Sequence, residues 1–474
     1  MPRIRHTSPR TTLAVLATVV AAFSMLQSLV TPALPLIQHD LHTTPALVTW
    51  VFTALLLSVS VSTPLLGRVG DMVGKERTLL AGLVALAIGC LLAAIAPNIG
   101  VLIAARVVQG LGAAVFPLSF GIIRDEFPAE RVPSVVGLVS SVIAIGGGLG
   151  IVLAGPIVEA LGWRWLFWIP LAVVTTAAVL VRRYIPESPN RVPGRIDWLA
   201  ALLLSGWLIA LLLPLSTGRS WGWGSVRTVG LFVAAAILLA GWITVELRSK
   251  NPLIDMRMMR LPAIWTTNLV ALLFGAAMFA VYAFVPQFVQ IPKAAGFGFG
   301  SSVSQAGLLM LPMLITMAVA GSLSGPLASR FGAKAQVVSG SALSLVAALL
   351  FARLHDSPWQ LALSTALFGV GLGLAYASMT SLIVQNVPRE QTGAATGMNA
   401  NIRTIGGSIG TAVASSIITG HIQPSGLPAE SGFTDTFYLL AAFSAAAVVL
   451  ALAIPATRRV TKAAPDPLLE ELVS

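Results

Sequence analysis

A chain of 474 residues in which 56% are hydrophobic and only 10% are charged cannot clothe a water-soluble core in polar side chains, so a bilayer is its natural solvent. The net charge of +11 arises from basic residues scattered in small groups, a pattern that argues against a nucleic-acid partner. A single cysteine, Cys90, excludes an intrachain disulfide and has no metal-ligating neighbours in its apolar run, so it reads as a packing residue.

Runs without Lys, Arg, Asp or Glu that reach the length needed to cross about 30 Å of hydrocarbon as a helix number fourteen. Six come first, at 11–38, 41–67, 78–105, 107–123, 132–158 and 165–181. A polar, proline-rich stretch at 182–195 separates them from two more, 198–218 and 228–245. After a charged stretch at 246–260 come the last six, at 261–292, 294–329, 335–352, 357–388, 404–429 and 436–457. The short alternating segments of a β-barrel are absent. Arg3-Ile4-Arg5 precedes an apolar run about twice the length of a signal-peptide core, so the first run reads as an uncleaved helix.

About 22 of the 29 Lys and Arg residues fall in the termini and in alternate loops, against about five in the opposite loops. The excess of positive charge marks the cytoplasmic side and predicts a plasma-membrane protein with both ends in the cytoplasm. Trp163, Trp165, Trp168, Trp221 and Trp223 then lie near the outer surface, where indole rings serve as interfacial anchors.

The chain repeats itself. GRVGDMVGKE at 67–76 recurs as GPLASRFGAK at 325–334, and the stretch 128–150 aligns with 388–410, sharing Pro, Glu and four glycines. Both pairs occupy equivalent cytoplasmic loops and the helices after them, so the sequence encodes two similar halves in parallel orientation, with the pair 198–245 belonging to neither. The expected domains are a six-helix bundle at 1–181, linkers and two inserted helices at 182–260, a second bundle at 261–457 and a cytoplasmic tail at 458–474.

GRVGDMVGKERTLL at 67–80 resembles the signature cytoplasmic loop of the major facilitator superfamily, with Gly67, Asp71, Gly74, Lys75 and Arg77 on or near its marked positions. Physically, the glycines permit a tight turn, Asp71 suits a helix N-terminus, and the cations suit carboxylates or carbonyl ends. RVVQGLGAA at 106–114 is similar to the family's fourth-helix pattern and supplies Arg106, Gln109 and Gly110. An arginine at membrane depth is a functional candidate by default, with a snorkelling boundary arginine as the bland alternative.

In the fifth helix, where antiporters of the family carry Gly-Pro and then paired glycines, this chain has Gly150-Ile151 and Ala154-Gly155, with a proline displaced to Pro156. Gly146, Gly150 and Gly155 still offer a small-residue face for helix packing. MLQSLVTPALPLIQHDL at 25–41 resembles the first helix of the fourteen-helix drug:proton antiporter branch, but Leu26, beside Gln27, stands where that branch has an acid. No carboxylate lies deep inside any run, although Asp40, flanked by His39 and His42, could titrate with the external medium.

The resemblance implies an all-α integral membrane protein of the major-facilitator fold, its fourteen helices arranged six plus two plus six around two pseudo-symmetric bundles. It further implies alternating access, with Pro32, Pro35, Pro117, Pro286 and Pro312 as loosened points in the spans. The expected activity is secondary active export of hydrophobic or amphipathic small molecules, as in drug or antibiotic efflux, coupled to protons. Expected partners are the solute and the lipid bilayer, the protein acting as a monomer without cofactor, metal or enzymatic chemistry. Gating is expected at Gly67, Asp71, Gly74, Lys75 and Arg77. Transport or coupling is expected at Gln27, Arg106, Gln109, Gly110, Asn399 and Arg403, with Tyr282, Gln287, Met310, Met313, Tyr376 and Met379 also in the cavity. Such a cavity would be neutral to positive and would favour neutral or anionic solutes. An importer, a metabolite or lipid exporter of the same fold, and a non-transporting membrane sensor remain alternatives.

Overall fold

The structure is a computed structural model and describes residues 8–455 apart from 44, 129, 189–196, 250–251, 253, 389–390, 422 and 424–427; the predicted tail at 458–474 and part of the 182–195 linker lie outside these. Its long elements are helices: α1 (Pro9–Leu29), α2 (Pro45–Val73), α3 (Lys75–Ala94), α4 (Ile99–Glu126), α5 (Val132–Leu161), α6 (Trp165–Tyr184) and α7 (Trp198–Trp221). There follow α8 (Val226–Arg248), α9 (Pro262–Gln290), α10 (Leu311–Phe331), α11 (Ala333–Arg353), α12 (Pro358–Gln385), α13 (Thr392–Gly420) and α14 (Glu430–Ala453). Short polar side chains start several of them. Asn98 accepts from the Val101 amide at 3.0 Å to cap α4, Asp197 accepts from the Leu199 and Ala200 amides to cap α7, and Ser357 with Gln360 forms a capping box on α12.

Among the described residues, thirteen helices are long and apolar enough to cross a membrane. The exception to the expected fourteen is α13. Its 29 residues are long enough, but Asn399, Asn401, Arg403 and a high share of Gly, Ser and Thr dilute its apolar character. The uncharged run at 404–429 misplaced this helix because Arg403, which a charge-based criterion treats as a boundary, lies inside it.

The 67–80 segment is also less of a loop than expected. Helix α2 continues through Asp71 to Val73, α3 starts at Lys75, and the chain reverses at Gly74 alone, with φ 133°. Gly332, its counterpart in the repeat, joins α10 to α11 with φ 87°. A side chain would strain either turn, which gives the repeated glycine its physical reason.

The pairing of helices is duplicated. In the first half α1 packs on α5 and α6, α3 on α4 and α6, and α2 on α4; in the last six helices α9 packs on α13 and α14, α11 on α12 and α14, and α10 on α12. Across the halves the two principal seams are α2 against α13 and α5 against α10, and the repeat interchanges these two pairs. Helix α7 covers the α2–α13 seam, packing Leu204 and Leu208 among Leu57, Val61, Ile402 and Ile405, while α8 leans mainly on α7 through Trp207 and Trp242, whose ring centroids are 6.0 Å apart. Large apolar side chains point outward, among them Val179, Ile237, Ile315 and Val449, as lipid-facing helices require.

Trp165, Trp168 and Trp223 are exposed as interfacial anchors would be, but Trp163 is buried and its indole N–H donates to Asp40 at 2.9 Å. That contact ties the α5–α6 turn to the end of the short helix Leu34–Asp40 and gives Asp40 a structural partner.

Candidate solute cavity and the closed end beside it

The site is a cavity of about 260 Å³ between the halves, walled by α1, α2, α4 and α5 on one side and by α9, α12 and α13 on the other. Most of its wall is apolar or aromatic: Phe52, Leu56, Phe116, Ile143, Met278 and Phe279. Polar side chains are interspersed: Ser24, Gln27 and Ser28 face it from α1, Thr31 from just beyond α1, Thr63 from α2, Tyr282 and Tyr376 from α9 and α12, and Asn401, Arg403, Thr404, Ser408 and Thr411 from α13. Among the described lining residues Arg403 is the one charged side chain, and none is a carboxylate.

Of the residues expected in the cavity, Gln27, Tyr282, Tyr376 and Arg403 line it; Arg106, Gln109, Gln287, Met310, Met313, Met379 and Asn399 do not. The methionines face inward among the helices of the second half. Gly369 and Gly373 of α12 abut the backbones of buried Met313 and Met317, so this face of α10 packs on α12. Asn399 donates to the Asn268 side chain at 2.8 Å, bridging α13 to α9 behind the cavity wall.

Arg106 sits fully buried inside the first half, away from the solute space. Its Nε donates to the Val51 carbonyl at 3.0 Å and its Nη1 to Gln109 Oε1 at 2.7 Å, while Gln109 donates to the Cys90 sulfur at 3.6 Å. Nη2 has no hydrogen-bond partner, no carboxylate pairs with the guanidinium among the described residues, and the Phe167 ring lies 6.0 Å away. Close packing beside it explains the glycine of the pattern: a Cβ at Gly110 would collide with Ser58 on α2. A buried cation without a counter-ion is costly. Arg106→Met is therefore expected to leave the melting temperature unchanged or raised while lowering transport; a lowered melting temperature with normal transport would make Arg106 a structural anchor.

On the side of the 67–80 segment the halves are in contact and close the cavity. Gly67 lies against Gly393 and Pro117, and Gly325, its repeat counterpart, lies against Ser134 at the other seam, so each glycine permits one close crossing. Buried Asp71 lies beside Gly393 at the first turn of α13, and neither of its carboxylate oxygens has a hydrogen-bond partner among the described residues. Its repeat counterpart is Ser329, so this charge exists at one seam only.

Lys75 runs beneath Gly121, whose missing side chain makes room for it, and pairs with Asp125 at 2.6 Å. Asp125 also accepts from Ser188 at 2.5 Å. Arg77 pairs with Glu187 at 3.4 Å, and Glu187 accepts from the Glu76 amide. From the end of α4, Arg124 crosses to the second half, donating to the Val387 carbonyl at 2.7 Å, the Pro388 carbonyl at 3.2 Å and the Thr392 hydroxyl at 2.5 Å. Sequence reasoning passed over Asp125, Arg124, Glu187 and Ser188; the signal available was that RDE at 124–126 and ES at 187–188 flank the same predicted cytoplasmic surface as Lys75 and Arg77.

The glycines of α5 serve three neighbours. Gly146 and Gly150 lie against α1, where Ser24 and Ser28 donate to the carbonyls of Ile143 and Gly147, whereas Gly148 meets Leu314 of α10 and Gly155 meets Ser304. Pro156 is exposed on the same helix.

The profile of the Major Facilitator Superfamily matches residues 16–411 and, in a second alignment, 269–471. The chain is 30% identical over 409 residues to the tetracenomycin C resistance and export protein of Streptomyces glaucescens, covering 85% of this chain and 75% of that one. It is 28% identical over 408 residues to the multidrug transporter protein MdtP of Bacillus subtilis, covering 85% and 74%, and 30% identical over 397 residues to the multidrug resistance protein Stp of Mycobacterium tuberculosis, covering 82% and 72%. Among solved structures, the human organic anion transporter MFSD10 superposes with a TM-score of 0.68 at 16% identity over 94% of this chain and all of that one. The proton:xylose symporter XylE superposes with a TM-score of 0.67 at 12% identity, covering 94% and 96%. With the repeat, the duplicated helix pairing and these matches together, the chain belongs to the major facilitator superfamily of membrane transporters.

Proposed function

We propose that this protein is a secondary active transporter that exports hydrophobic or amphipathic small molecules across the plasma membrane, as drug or antibiotic efflux. The observation that carries the reading is the largely apolar cavity between two halves whose seams are related by the repeat, closed on the side of Asp71 and Lys75. Relatives named for multidrug resistance and for tetracenomycin export support the same substrate class.

In this reading fourteen helices cross the membrane as six plus two plus six. Residues 1–181 and 261–457 form the two bundles, 182–260 carry the inserted pair, and both ends face the cytoplasm. Polar α13 crosses as well, shielded from lipid by its neighbours. The bundles rock about the cavity so that it meets one aqueous phase and then the other. Gly67, Asp71, Gly74, Lys75 and Arg77 form the gate, the protein acts as a monomer, and protons drive the cycle. Since no carboxylate lines the cavity among the described residues, proton uptake belongs to a group outside the lining.

The test is a susceptibility panel with and without the protein, paired with solute flux in everted vesicles before and after collapse of the pH gradient. Export that stops on collapse supports the reading, export that continues removes the proton coupling, and the absence of any flux removes transport itself. Asp71→Asn is expected to lower flux while leaving expression intact, because a charge at a helix N-terminus contributes up to about 2 kcal/mol when partly buried. Wild-type flux in that variant would take Asp71 out of the gate.

A further inference from the structure

Arg403 is held in place by groups that leave its charge unmatched. Its guanidinium lies 4.0 Å from the centroid of the Tyr376 ring, and among the described residues its one hydrogen bond to another side chain, from Nη1 to Asn399 Oδ1, is long at 3.4 Å. Gly275 lets α9 cross closely here, since a Cβ there would fall 2.0 Å from the Arg403 carbonyl oxygen and 2.9 Å from its Cγ. Among the described residues no carboxylate pairs with it, and none lines the cavity it faces. A guanidinium carries five N–H donors, so most of them are left for whatever occupies the space.

A second group in the same wall is also unmatched. Asn401 is 2% exposed and lines the cavity, yet neither its Oδ1 nor its Nδ2 has a hydrogen-bond partner among the described residues. A buried amide with both ends unsatisfied costs free energy unless a ligand completes it. Residues two apart on a helix project roughly 200° apart. Asn401 and Arg403 therefore flank the strip of α13 formed by Ala400, Thr404 and Gly407, which faces the cavity.

We propose that the cavity selects amphipathic organic acids: the anionic group bonds Arg403 beside Tyr376, a second polar group of the same molecule exchanges hydrogen bonds with Asn401, and the apolar body lies against Phe52, Leu56, Phe116 and Phe279. The assignment rests on the export reading for its consequence, since it names the class of solute, but binding can be measured independently of flux. An anion in this low-dielectric space meets a cation without a competing carboxylate, and charge-assisted bonds to arginine are roughly twice as strong as neutral ones. An organic cation meets the opposite field and finds no acid to offset it.

The experiment is equilibrium binding of three matched naphthalene probes, 1-naphthylacetate, its methyl ester and 1-naphthylmethylammonium, to the purified full chain in detergent, by calorimetry. The acid is expected to bind at least about tenfold more tightly than the ester or the amine. Arg403→Gln is expected to bring the acid down to the affinity of the ester with the ester unchanged, and Arg403→Lys to retain part of the preference. Asn401→Leu is expected to leave the binding of 1-naphthylacetate, which carries no second polar group, unchanged and to weaken that of 6-hydroxy-2-naphthylacetate, whose hydroxyl is available to Asn401. Because the comparison of probes on the wild-type protein needs no variant, a misfolded substitution leaves it intact. Equal or tighter binding of the amine, an unchanged acid preference in Arg403→Gln, or no binding of the acid overturns the proposal. Export of neutral and cationic compounds without the acid would leave the transporter reading standing and remove this one. Tight acid binding without flux of any compound would do the reverse.

Discussion

Lys75→Met is expected to destabilise the protein by about 3–5 kcal/mol, read as a lowered melting temperature in detergent together with a loss of most transport. The Lys75 ammonium and the Asp125 carboxylate are 2.6 Å apart and each is 1% exposed, so removing the lysine leaves the buried carboxylate without the cation that offsets its desolvation. The gene-encoded route to that pair is narrow. Lys75 is the first residue of α3, where a cation opposes the helix dipole, and its stem passes under Gly121 to reach α4. The double substitution Lys75→Met with Asp125→Leu is expected to recover most of the lost stability, because a buried pair replaced by apolar groups of similar volume is often neutral. A single variant that melts with the wild type would mean that the pair does not hold the closed end.

The second large effect is expected at Arg124, which makes three hydrogen bonds from the end of α4 to the α12–α13 turn and the start of α13. In the proposed alternating-access cycle these contacts break when that end opens. Bonds to charged donors contribute about 1.5–3 kcal/mol, so Arg124→Ala should shift the population toward the state open on that side by roughly tenfold to a hundredfold. The measurement is the rate at which a cysteine at Thr63, the cavity-lining position of α2 closest to Asp71, reacts with an impermeant maleimide applied from the side of the 67–80 segment. Cys90→Ala in the background removes the one native thiol. Faster labelling is the expected result, and an unchanged rate would show that Arg124 does not restrain the opening. Arg124→Lys should fall between, since an ammonium keeps the charge but not the planar fork that reaches Val387, Pro388 and Thr392 together.

Much of this protein is written in its sequence because the bilayer allows few solutions. Backbone polar groups in hydrocarbon must be satisfied within the segment, so apolar runs of sufficient length have to be helices, and their order along the chain is visible without coordinates. The repeat was legible for a similar reason. Gly74 and Gly332 must both turn the chain with positive φ, and Gly67 and Gly325 must both admit a neighbouring helix, so these positions tolerate little else. Asp71, Lys75 and Arg77 were legible as a group that needs a helix N-terminus and carboxylates.

Which groups meet them was not legible. Asp125, Glu187 and Ser188 come to Lys75 and Arg77 from segments about 50 and 110 residues further along the chain, and only the packing of α3 on α4 and α6 brings them there. The same limit separates Arg106 from Arg403. Both are arginines within long helices, with no acid close by in the chain. The rotation of each helix decides between them, turning Arg106 toward Val51 and Gln109 inside one half and Arg403 toward Tyr376 and the solute space between the halves. Composition and spacing thus determined that the chain is a duplicated helical membrane protein. The facing of individual side chains, which depends on contacts among helices distant in the chain, was decided only by the tertiary structure.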